Sequence, residues 1–326
     1  MYKYLWQNPD WPDFKWDSQI LIQPLTTLIT NQGLLKGKME LLGFKVKSES
    51  IINRFTSEIT KSYEIEGADL SLNSVRSSVA RKLGLENVIL SNGDVLETPK
   101  QSIDSVVNVI FDAVQNCNTL LTKERLCQWN SQLFGNVNQS FNGGEKINVG
   151  QYRTDKIYVI SGTMGNAKIH YEAPPANIVN QEMDKFLKWF NTPMKELKIN
   201  SILKSAIAHL YFVSIHPFED GNGRISRAIA DMALSQNQEI DLTNKDINNN
   251  AEEPKYDHLY SMSAQLCKER KDYYNELEKA QTSGLDITSW LLWYIECMNR
   301  AVLSSLNELN LVIKRKHFWE RCLRSI

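Results

Sequence analysis

A short segment, "HPFEDGNGRISR", brings several chemically active side chains together within residues 216–227. It follows the apolar run "ILKSAIAHLYFVSI", which predicts a buried helix over 201–215. Pro217 should end that helix, because the residue before a proline disfavours helical backbone. His216 is therefore expected at the end of a rigid element, with Phe218 turned back into the core and Glu219 facing solvent. An imidazole held there can act as a general base, since its pKa lies near neutrality.

The glycines that come next are typical of an anion-binding loop. Gly221-Asn222-Gly223 allows backbone N–H groups to converge on one point without obstruction by Cβ atoms. A helix predicted over 223–236 adds free N–H groups and the positive end of its dipole. The loop and the helix start together predict a cradle for phosphate.

Three charged side chains flank this predicted cradle. Arg224 and Arg227 lie three residues apart and should share one face of the helix. Two guanidinium groups beside an anion site imply more than one phosphate. Asp220 is a hard oxygen ligand whose natural partner beside phosphate is Mg²⁺. A base, a magnesium ligand, a phosphate cradle and two arginines indicate nucleotide chemistry at phosphorus.

The elements that must position these residues are mostly helical. Apolar residues recur at spacings of three and four along most of the chain. This periodicity predicts helices over 18–43, 48–67, 70–83, 100–117, 121–135, 176–192, 201–215, 223–236, 255–282 and 286–313.

Two stretches differ from this helical pattern. The segment "QYRTDKIYVISGTMGNAKIHYEAPP" alternates in polarity around a central turn signal and predicts a β-hairpin, which would cover the site as a flap. The Asn-rich stretch over 235–257 predicts a long surface loop. Near the start of the chain, Trp6, Trp11 and Trp16 are interpreted as packing anchors.

Composition limits the class of protein. The chain has 326 residues, 42% of them hydrophobic, and a net charge of −1, which gives no reason to expect a polyanionic partner for the whole protein. Its five cysteines form no CxxC pair and are expected to be reduced thiols. Neither a secretory signal nor a membrane-spanning run is evident, so a cytoplasmic location is expected.

"HPFEDGNGR" followed by "ISR" fills every specified position of HPFx(D/E)GNGRxxR, and it resembles the signature of the Fic (filamentation induced by cAMP) family. "LWQNPDWPDFKWD" resembles a small helical module often attached to bacterial Fic proteins. The resemblance implies a mainly α protein, in which a helical bundle with a β-hairpin flap follows a small helical domain. The expected parts are an N-terminal module over 1–95, a catalytic core over 96–300, and a C-terminal helix or the start of a truncated further domain over 301–326.

The resemblance also implies an activity: transfer of AMP from ATP to a Ser, Thr or Tyr hydroxyl of a protein, with release of pyrophosphate. In this assignment His216 deprotonates the hydroxyl, and Asp220 holds Mg²⁺. The flap, around residues 157–172, aligns the target. The remaining nucleotide contacts are assigned to Gly221, Asn222 and Gly223 for the α- and β-phosphates, Arg224 for the β-phosphate, Arg227 for the γ-phosphate, and Tyr273 and Tyr274 for the base and ribose.

A second motif lies far upstream, in "TKSYEIEG". Glu66 falls in the last turn of a helix predicted over about 47–67, where the negative dipole end disfavours a carboxylate that has no cationic partner. Ser62, Glu66 and Gly67 also match the inhibitory motif (S/T)xxxE(G/N) of Fic proteins. The resemblance implies that Glu66 pairs with Arg227 and keeps it from the γ-phosphate.

Two other functions are compatible with the same sequence. Glu66 could position water to remove AMP from a modified target, since some Fic proteins with this glutamate do so. Alternatively, the chain could be a regulatory or DNA-associated module with weak catalysis, although nucleic acid is not an expected partner. Self-modification and a homodimer are further expectations, and the sequence names neither the target protein nor its modified residue.

Overall fold

The structure is a computed structural model that describes residues 2–134, 147–161, 168–236 and 259–324. The first part of these residues forms six α-helices: α1 (Ser18–Glu40), α2 (Phe44–Ile65), α3 (Leu72–Leu83), α4 (Glu86–Ser91), α5 (Gln101–Gln115) and α6 (Lys123–Leu133). After a two-stranded sheet come seven more: α7 (Val179–Asn191), α8 (Met194–Leu197), α9 (Ser201–Ile215), α10 (Asn222–Ser235), α11 (Met262–Lys268), α12 (Arg270–Thr282) and α13 (Thr288–Arg324).

The mainly α prediction is confirmed, although several helices differ from their predicted bounds. Helix α9 has the predicted bounds. The helix predicted over 255–282 is divided at Glu269 into α11 and α12 within its described part. Helix α13 extends beyond the predicted end at residue 313 and crosses the expected domain boundary at 300/301. Most of the predicted Asn-rich loop lies outside the described residues.

Helix α9 is the central helix of the molecule, because all of its residues are buried. Two of its buried polar side chains are bonded to neighbours: the Lys204 ammonium donates to Gln236 Oε1 at 2.9 Å, and His209 Nε2 lies 2.9 Å from the Tyr273 hydroxyl. A helix apolar on nearly every side needs neighbours all round it. Those neighbours include α7, α10, α12 and α13.

The end of α2 is set by glycine. Gly67 adopts φ of 78°, a left-handed conformation that favours glycine. The N–H of Ala68 donates to Tyr63 O at 3.1 Å, and that of Gly67 donates to Glu64 O at 3.0 Å, which is the Schellman pattern of helix termination. This turn makes Glu66 the capping residue of α2.

The predicted hairpin is present. Strand β1 (Tyr158–Ser161) pairs antiparallel with β2 (Lys168–Glu172), with an irregularity between Val159 and Ile160. The tip between the strands lies outside the described residues. The buried Tyr171 hydroxyl of β2 donates to Ser214 O of α9 at 2.8 Å, so the hairpin is fixed to this central helix.

The three N-terminal tryptophans pack as predicted. Trp6 Nε1 donates to Glu172 O of β2 at 2.8 Å, and Trp11 Nε1 donates to Glu182 Oε2 of α7 at 2.6 Å. Trp16 is partly buried against the hydrophobic cluster that includes α1 and α13. The N-terminal residues thus contact both the flap and α7 and support the flap.

Within the described residues, none of the helices is long and apolar enough to cross a membrane.

Candidate active site

His216 ends α9 in a conformation unusual for a residue with a side chain. Its φ and ψ are 54° and 58°, in the left-handed region, while its N–H still donates to Phe212 O at 3.0 Å. A non-glycine residue keeps such a conformation only when its surroundings hold it there. The imidazole is thereby turned out of the helix at a fixed position.

The hydrogen bonds of the imidazole define its tautomer. Nδ1 lies 3.1 Å from Val213 O, and a carbonyl oxygen can only accept, so Nδ1 carries the proton. This leaves Nε2 unprotonated and able to accept one. Desolvation by the surrounding protein lowers the pKa of His216, which keeps the ring neutral at neutral pH. The predicted base is therefore in its proton-accepting form.

The predicted cradle begins at Gly221, which caps the N-terminus of α10 with φ of 87°. A Cβ added there would crowd the side chains of Asn130, Leu133 and Phe134, so both backbone conformation and space require glycine. The free N–H groups of the first turn of α10 follow this point and supply the donors of an anion site.

Asn222 stabilises the loop with its side chain. Its Nδ2 donates to Phe218 O at 2.7 Å, and its Oδ1 accepts from Phe218 N at 3.0 Å. The Phe218 ring is buried as expected and meets Tyr152 edge-on. Both polar atoms of Asn222 are engaged, so a phosphate contact at this residue depends on its backbone N–H.

Arg224 is held between two aromatic rings. The centroids of Tyr63 and Phe134 each lie 4.8 Å from its guanidinium carbon. Its Nη2 donates to Asp220 Oδ1 at 3.3 Å, while its buried Nε has no hydrogen-bond partner among the described residues. The stacked guanidinium is therefore oriented and retains donor capacity.

Arg227 is bound by the end of α2. Its Nε donates to Ser62 Oγ, and its Nη2 donates to Ser62 O and to Glu66 Oε1, each at 2.8 Å. Burial lowers the pKa of Arg227, but Glu66 together with Tyr273 and Tyr274 more than offsets this, and the pKa is raised. A Cβ added at Gly223 would collide with Glu66 Oε1, so this carboxylate lies against the start of α10. The predicted contact between the two distant motifs is present.

Asp220 fits the predicted role of a magnesium ligand that acts together with a nucleotide. Its side chain is 44% exposed, and Oδ1 accepts from Gly221 N at 2.5 Å. Among the residues that the structure describes, no cluster of three or more His, Cys, Asp or Glu could hold a metal ion. Mg²⁺ is commonly bound by one or two carboxylates together with substrate phosphates, and one carboxylate beside a phosphate cradle meets that requirement.

The two tyrosines expected at the base and ribose have different positions. Tyr273 is 1% exposed and its hydroxyl is bonded to His209, so it is a core residue, contrary to the expectation that it contacts the nucleotide. Tyr274 is 38% exposed, and its hydroxyl donates to Ile65 O at 3.3 Å, next to Glu66. Burial by neighbouring helices, which periodicity alone does not specify, accounts for the difference.

Several residues that support the site could not be identified from the sequence. Asn130 of α6 donates from Nδ2 to Asp220 O at 2.9 Å and accepts from Gly150 N at 2.8 Å. Arg153 donates from Nε to His216 O at 2.7 Å. Glu219, expected to face solvent, accepts from both the backbone and the side chain of Asn148. A polar residue with such distant partners resembles any surface residue in sequence.

Two family models match the chain. Residues 120–234 match the Fic/DOC family, and residues 4–85 match a domain of unknown function, DUF4172. The first match contains α9, the 216–221 loop and α10; the second contains α1 and α2, including Glu66.

Curated relatives align with about half of the chain. A protein adenylyltransferase Fic of Culex quinquefasciatus is 25% identical over 181 residues, which is 55% of this chain and 32% of the relative. Protein adenylyltransferase fic-1 of Caenorhabditis elegans is 29% identical over 181 residues, or 52% of this chain and 30% of the relative. The alignment thus spans about a third of the length of these relatives.

Solved structures share the fold. A fragment of Fic-1 from Caenorhabditis elegans superposes with a TM-score of 0.57 at 17% identity, covering 92% of this chain and 75% of that one. A Fic domain containing signaling protein from Bacteroides thetaiotaomicron has a TM-score of 0.55 at 16% identity, covering 86% and 97%. With the complete motif, the family match identifies residues 120–234 as a Fic domain, and the solved structures share its fold.

Proposed function

We propose that this protein transfers AMP from ATP to a Ser, Thr or Tyr hydroxyl of a protein. The observation that carries the proposal is the unprotonated Nε2 of His216 next to a phosphate cradle with two oriented arginines. The names of the curated relatives, protein adenylyltransferases, support the same reaction.

In the proposed reaction, the target hydroxyl gives its proton to His216 Nε2 and its oxygen forms a bond to the α-phosphorus of ATP. The bond between the α-phosphorus and the bridging oxygen breaks, and pyrophosphate leaves. The backbone N–H groups from Gly221 to Gly223 bind the α- and β-phosphates. Arg224 binds the β-phosphate, and Arg227 the γ-phosphate once Glu66 has released it. Mg²⁺ held by Asp220 and the phosphates would neutralise charge on the leaving group.

The hairpin is proposed to align the target segment. Its strands present exposed apolar side chains at Ile160 and Ile169, which are 58% and 51% exposed. An extended segment of a partner can add to a sheet edge through backbone hydrogen bonds, while such side chains contact alternate residues. This arrangement would place a hydroxyl near the end of α9, to which β2 is fixed through Tyr171.

The activity can be tested with ATP labelled at the α-phosphate, in a Glu66→Gly background and with a cell lysate as the source of targets. Glu66→Gly should label protein, and adding His216→Ala should lower the rate by about 100- to 10,000-fold, the range for loss of a general base. ATP binding, measured separately, should change little. Equal labelling with and without His216 would refute the assignment of the base.

We also propose that Glu66 inhibits the enzyme. Its carboxylate bonds the same guanidinium that is assigned to the γ-phosphate and lies against Gly223. Glu66→Gly should therefore raise the rate of AMP transfer about tenfold or more. Glu64→Gly is a matched control, because Glu64 lies two positions earlier on α2 and pairs with Lys61 at the surface. Similar activation by both variants would show that helix weakening, rather than the Arg227 contact, is responsible.

Removal of AMP from a modified target is a second candidate function. It is favoured by the position of Glu66, whose side chain is 31% exposed beside the cradle and could orient an attacking water. The two functions make opposite predictions for one variant. If removal is the main activity, an AMP-modified substrate should release AMP with the wild-type protein and not with Glu66→Gly.

A further inference from the structure

Arg153 joins the loop of His216 to both ends of the hairpin. Its side chain is buried, and its donors go to backbone carbonyls: Nε to His216 O at 2.7 Å, Nη1 to Asp155 O at 2.8 Å, and Nη2 to Pro174 O at 2.6 Å and Ile215 O at 3.4 Å. Its backbone N–H donates to Pro217 O at 2.8 Å. One residue therefore contacts three consecutive residues around the end of α9.

The two flap contacts lie where the strands meet the rest of the molecule. Asp155 precedes β1, which begins at Tyr158, and Pro174 follows β2, which ends at Glu172. The guanidinium is planar and its donors have a fixed geometry, so these carbonyls cannot shift independently of one another. In addition to the Tyr171 bond to Ser214 O, the Arg153 side chain thus restrains the position of the flap relative to His216.

The charge of Arg153 has an unusual environment. Its hydrogen bonds within the described residues go to neutral carbonyls rather than to a carboxylate, and burial lowers the pKa of Arg153 to about 10. Burial of a charge without an ionic partner costs free energy, so a neutral side chain would make a purely structural link at a lower cost. The carbonyls of Ile215, His216 and Pro217 are the ones that a left-handed His216 leaves outside the helix.

We propose that Arg153 is a positioning residue, which fixes the left-handed backbone of His216 and sets the distance from its imidazole to the flap strands. The inference rests on the proposed AMP transfer and adds a residue to it. Arg153 does not contact the reacting atoms. It acts by holding His216 Nε2 where a hydroxyl bound along the flap would arrive.

The same cation contributes to the protonation state of the base. Desolvation is the largest cause of the lowered pKa of His216, and Arg153 lowers it further. The other charged groups facing the imidazole, Glu66 from α2 and Asp220 from the loop, act in the opposite direction. Loss of the Arg153 charge should therefore raise the pKa of His216 and increase the fraction of protonated, inactive ring near neutral pH.

The kinetic test compares Arg153→Gln and Arg153→Lys in the Glu66→Gly background. Arg153→Gln should lower kcat for AMP transfer about 100-fold, because a displacement of about 1 Å can have an effect of that size. The KM for ATP should change less than about threefold, since the phosphate cradle is untouched. Arg153→Lys keeps the charge but not the fork of donors and should fall between Arg153→Gln and the parent.

Arg125→Gln is the matched control. Arg125, in the first turn of α6, also donates to several backbone carbonyls, those of Asp112, Asn116 and Thr119, and its partners do not include the 215–217 segment. Arg125 also pairs with the Asp112 carboxylate at 2.7 Å, so its loss should destabilise the fold without displacing His216. If Arg125→Gln lowers kcat as much as Arg153→Gln does, the proposed positioning role is wrong.

A spectroscopic measurement tests the proposal without reference to activity. The ¹⁵N shifts of the His216 ring, assigned by their loss in His216→Ala, should show the Nδ1–H tautomer in the parent and in Arg125→Gln. Arg153→Gln should move the ring toward the Nε2–H or the protonated form. An unchanged ring would overturn the inference. Absence of AMP transfer in the parent, with the expected ring shifts, would instead refute only the proposed function.

Discussion

Two ion pairs join helices α2 and α10, and they differ in their access to water. Arg54 of α2 pairs with Asp231 of α10 at 3.1 Å, and both side chains are only 4% exposed. In the second pair the arginine belongs to α10 and the carboxylate to the end of α2. Arg227 lies 2.8 Å from Glu66, and their side chains are 3% and 31% exposed. The arginines are equally buried, so the difference lies in the carboxylates.

The surroundings of the inner pair leave it little freedom. Arg54 Nε donates to Tyr260 O at 3.3 Å, and the nearby Glu58 accepts from Ser261 Oγ at 2.8 Å and from Ser263 N at 3.1 Å. These contacts also tie α11 to α2. The inner pair is therefore surrounded by bonded polar groups, and removal of Arg54 leaves the buried Asp231 carboxylate without its cation.

The outer pair can exchange its partner. Glu66 reaches solvent, so its carboxylate can be rehydrated when it leaves Arg227, and a phosphate can take its place. The comparison shows how one helix can carry both an anchor and a switch. The buried pair fixes α2 against α10, whereas we propose that the partly exposed pair competes with a ligand.

The largest expected effect is on folding stability, from loss of the inner arginine. Arg54→Met should lower the free energy of unfolding by about 3–5 kcal/mol, because it leaves Asp231 buried without its cation. Glu66→Gln should change it by less than about 1 kcal/mol, as expected for a pair with a solvent-exposed partner. Denaturant unfolding of both variants checks this, and equal losses would remove the distinction between anchor and switch.

The next effect is expected in the pH dependence of stability. Burial, together with the nearby Glu58 carboxylate, raises the pKa of Asp231 to about 7, against about 4 in an unfolded chain. Because the folded pKa is the higher one, the stability contributed by this group is fully present below about pH 4. It is lost as pH rises toward 7.

The measurement for this prediction is the difference in unfolding free energy between the wild-type protein and Asp231→Asn, taken at several pH values. The wild-type protein should lose stability relative to the variant between about pH 4 and 7, and the difference should be constant above that range. A difference that does not vary with pH would mean that Asp231 is ionised throughout.

The smallest expected effect concerns the outer pair. Ser62→Ala removes the hydroxyl that accepts from Arg227 Nε but leaves the bonds to Ser62 O and Glu66. Since one hydrogen bond contributes about 1 kcal/mol, the rate of AMP transfer should rise only a few-fold. Ser50→Ala is the control, because the Ser50 hydroxyl bonds within α2, to Val46 O. Activation as large as that of Glu66→Gly would contradict the view that Glu66 is the main restraint.

Local sequence signals predicted the parts of the site that are close together in the chain. The bounds of α9, the stop before Pro217 and the helix start after Gly221 follow from periodicity, proline and glycine. The burial of Phe218 was predicted in the same way. These features depend on interactions within a few residues.

The contact between Glu66 and Arg227 required more than such signals. The dipole argument indicated that a carboxylate at the end of α2 needs a cation, but many arginines could have supplied it. Only the resemblance to a family motif pointed to Arg227, which lies 161 positions away. Tyr273 shows the opposite outcome, because the same helical spacing places an aromatic residue equally well in a core or at a ligand.

The sequence by itself therefore determined the helical elements, the glycine loop and the place of the proposed base at the end of α9, because backbone preferences and apolar spacing act over short distances. The tertiary structure decided which side chains hold that base and which carboxylate reaches the cradle. Each of three supporting residues has a partner that is distant in the chain: Arg153 bonds Ile215 62 positions away, Asn130 bonds Asp220 90 positions away, and Arg54 bonds Tyr260 206 positions away. Such partners meet only when the packing of α2, α9 and α10 around a common core brings them together.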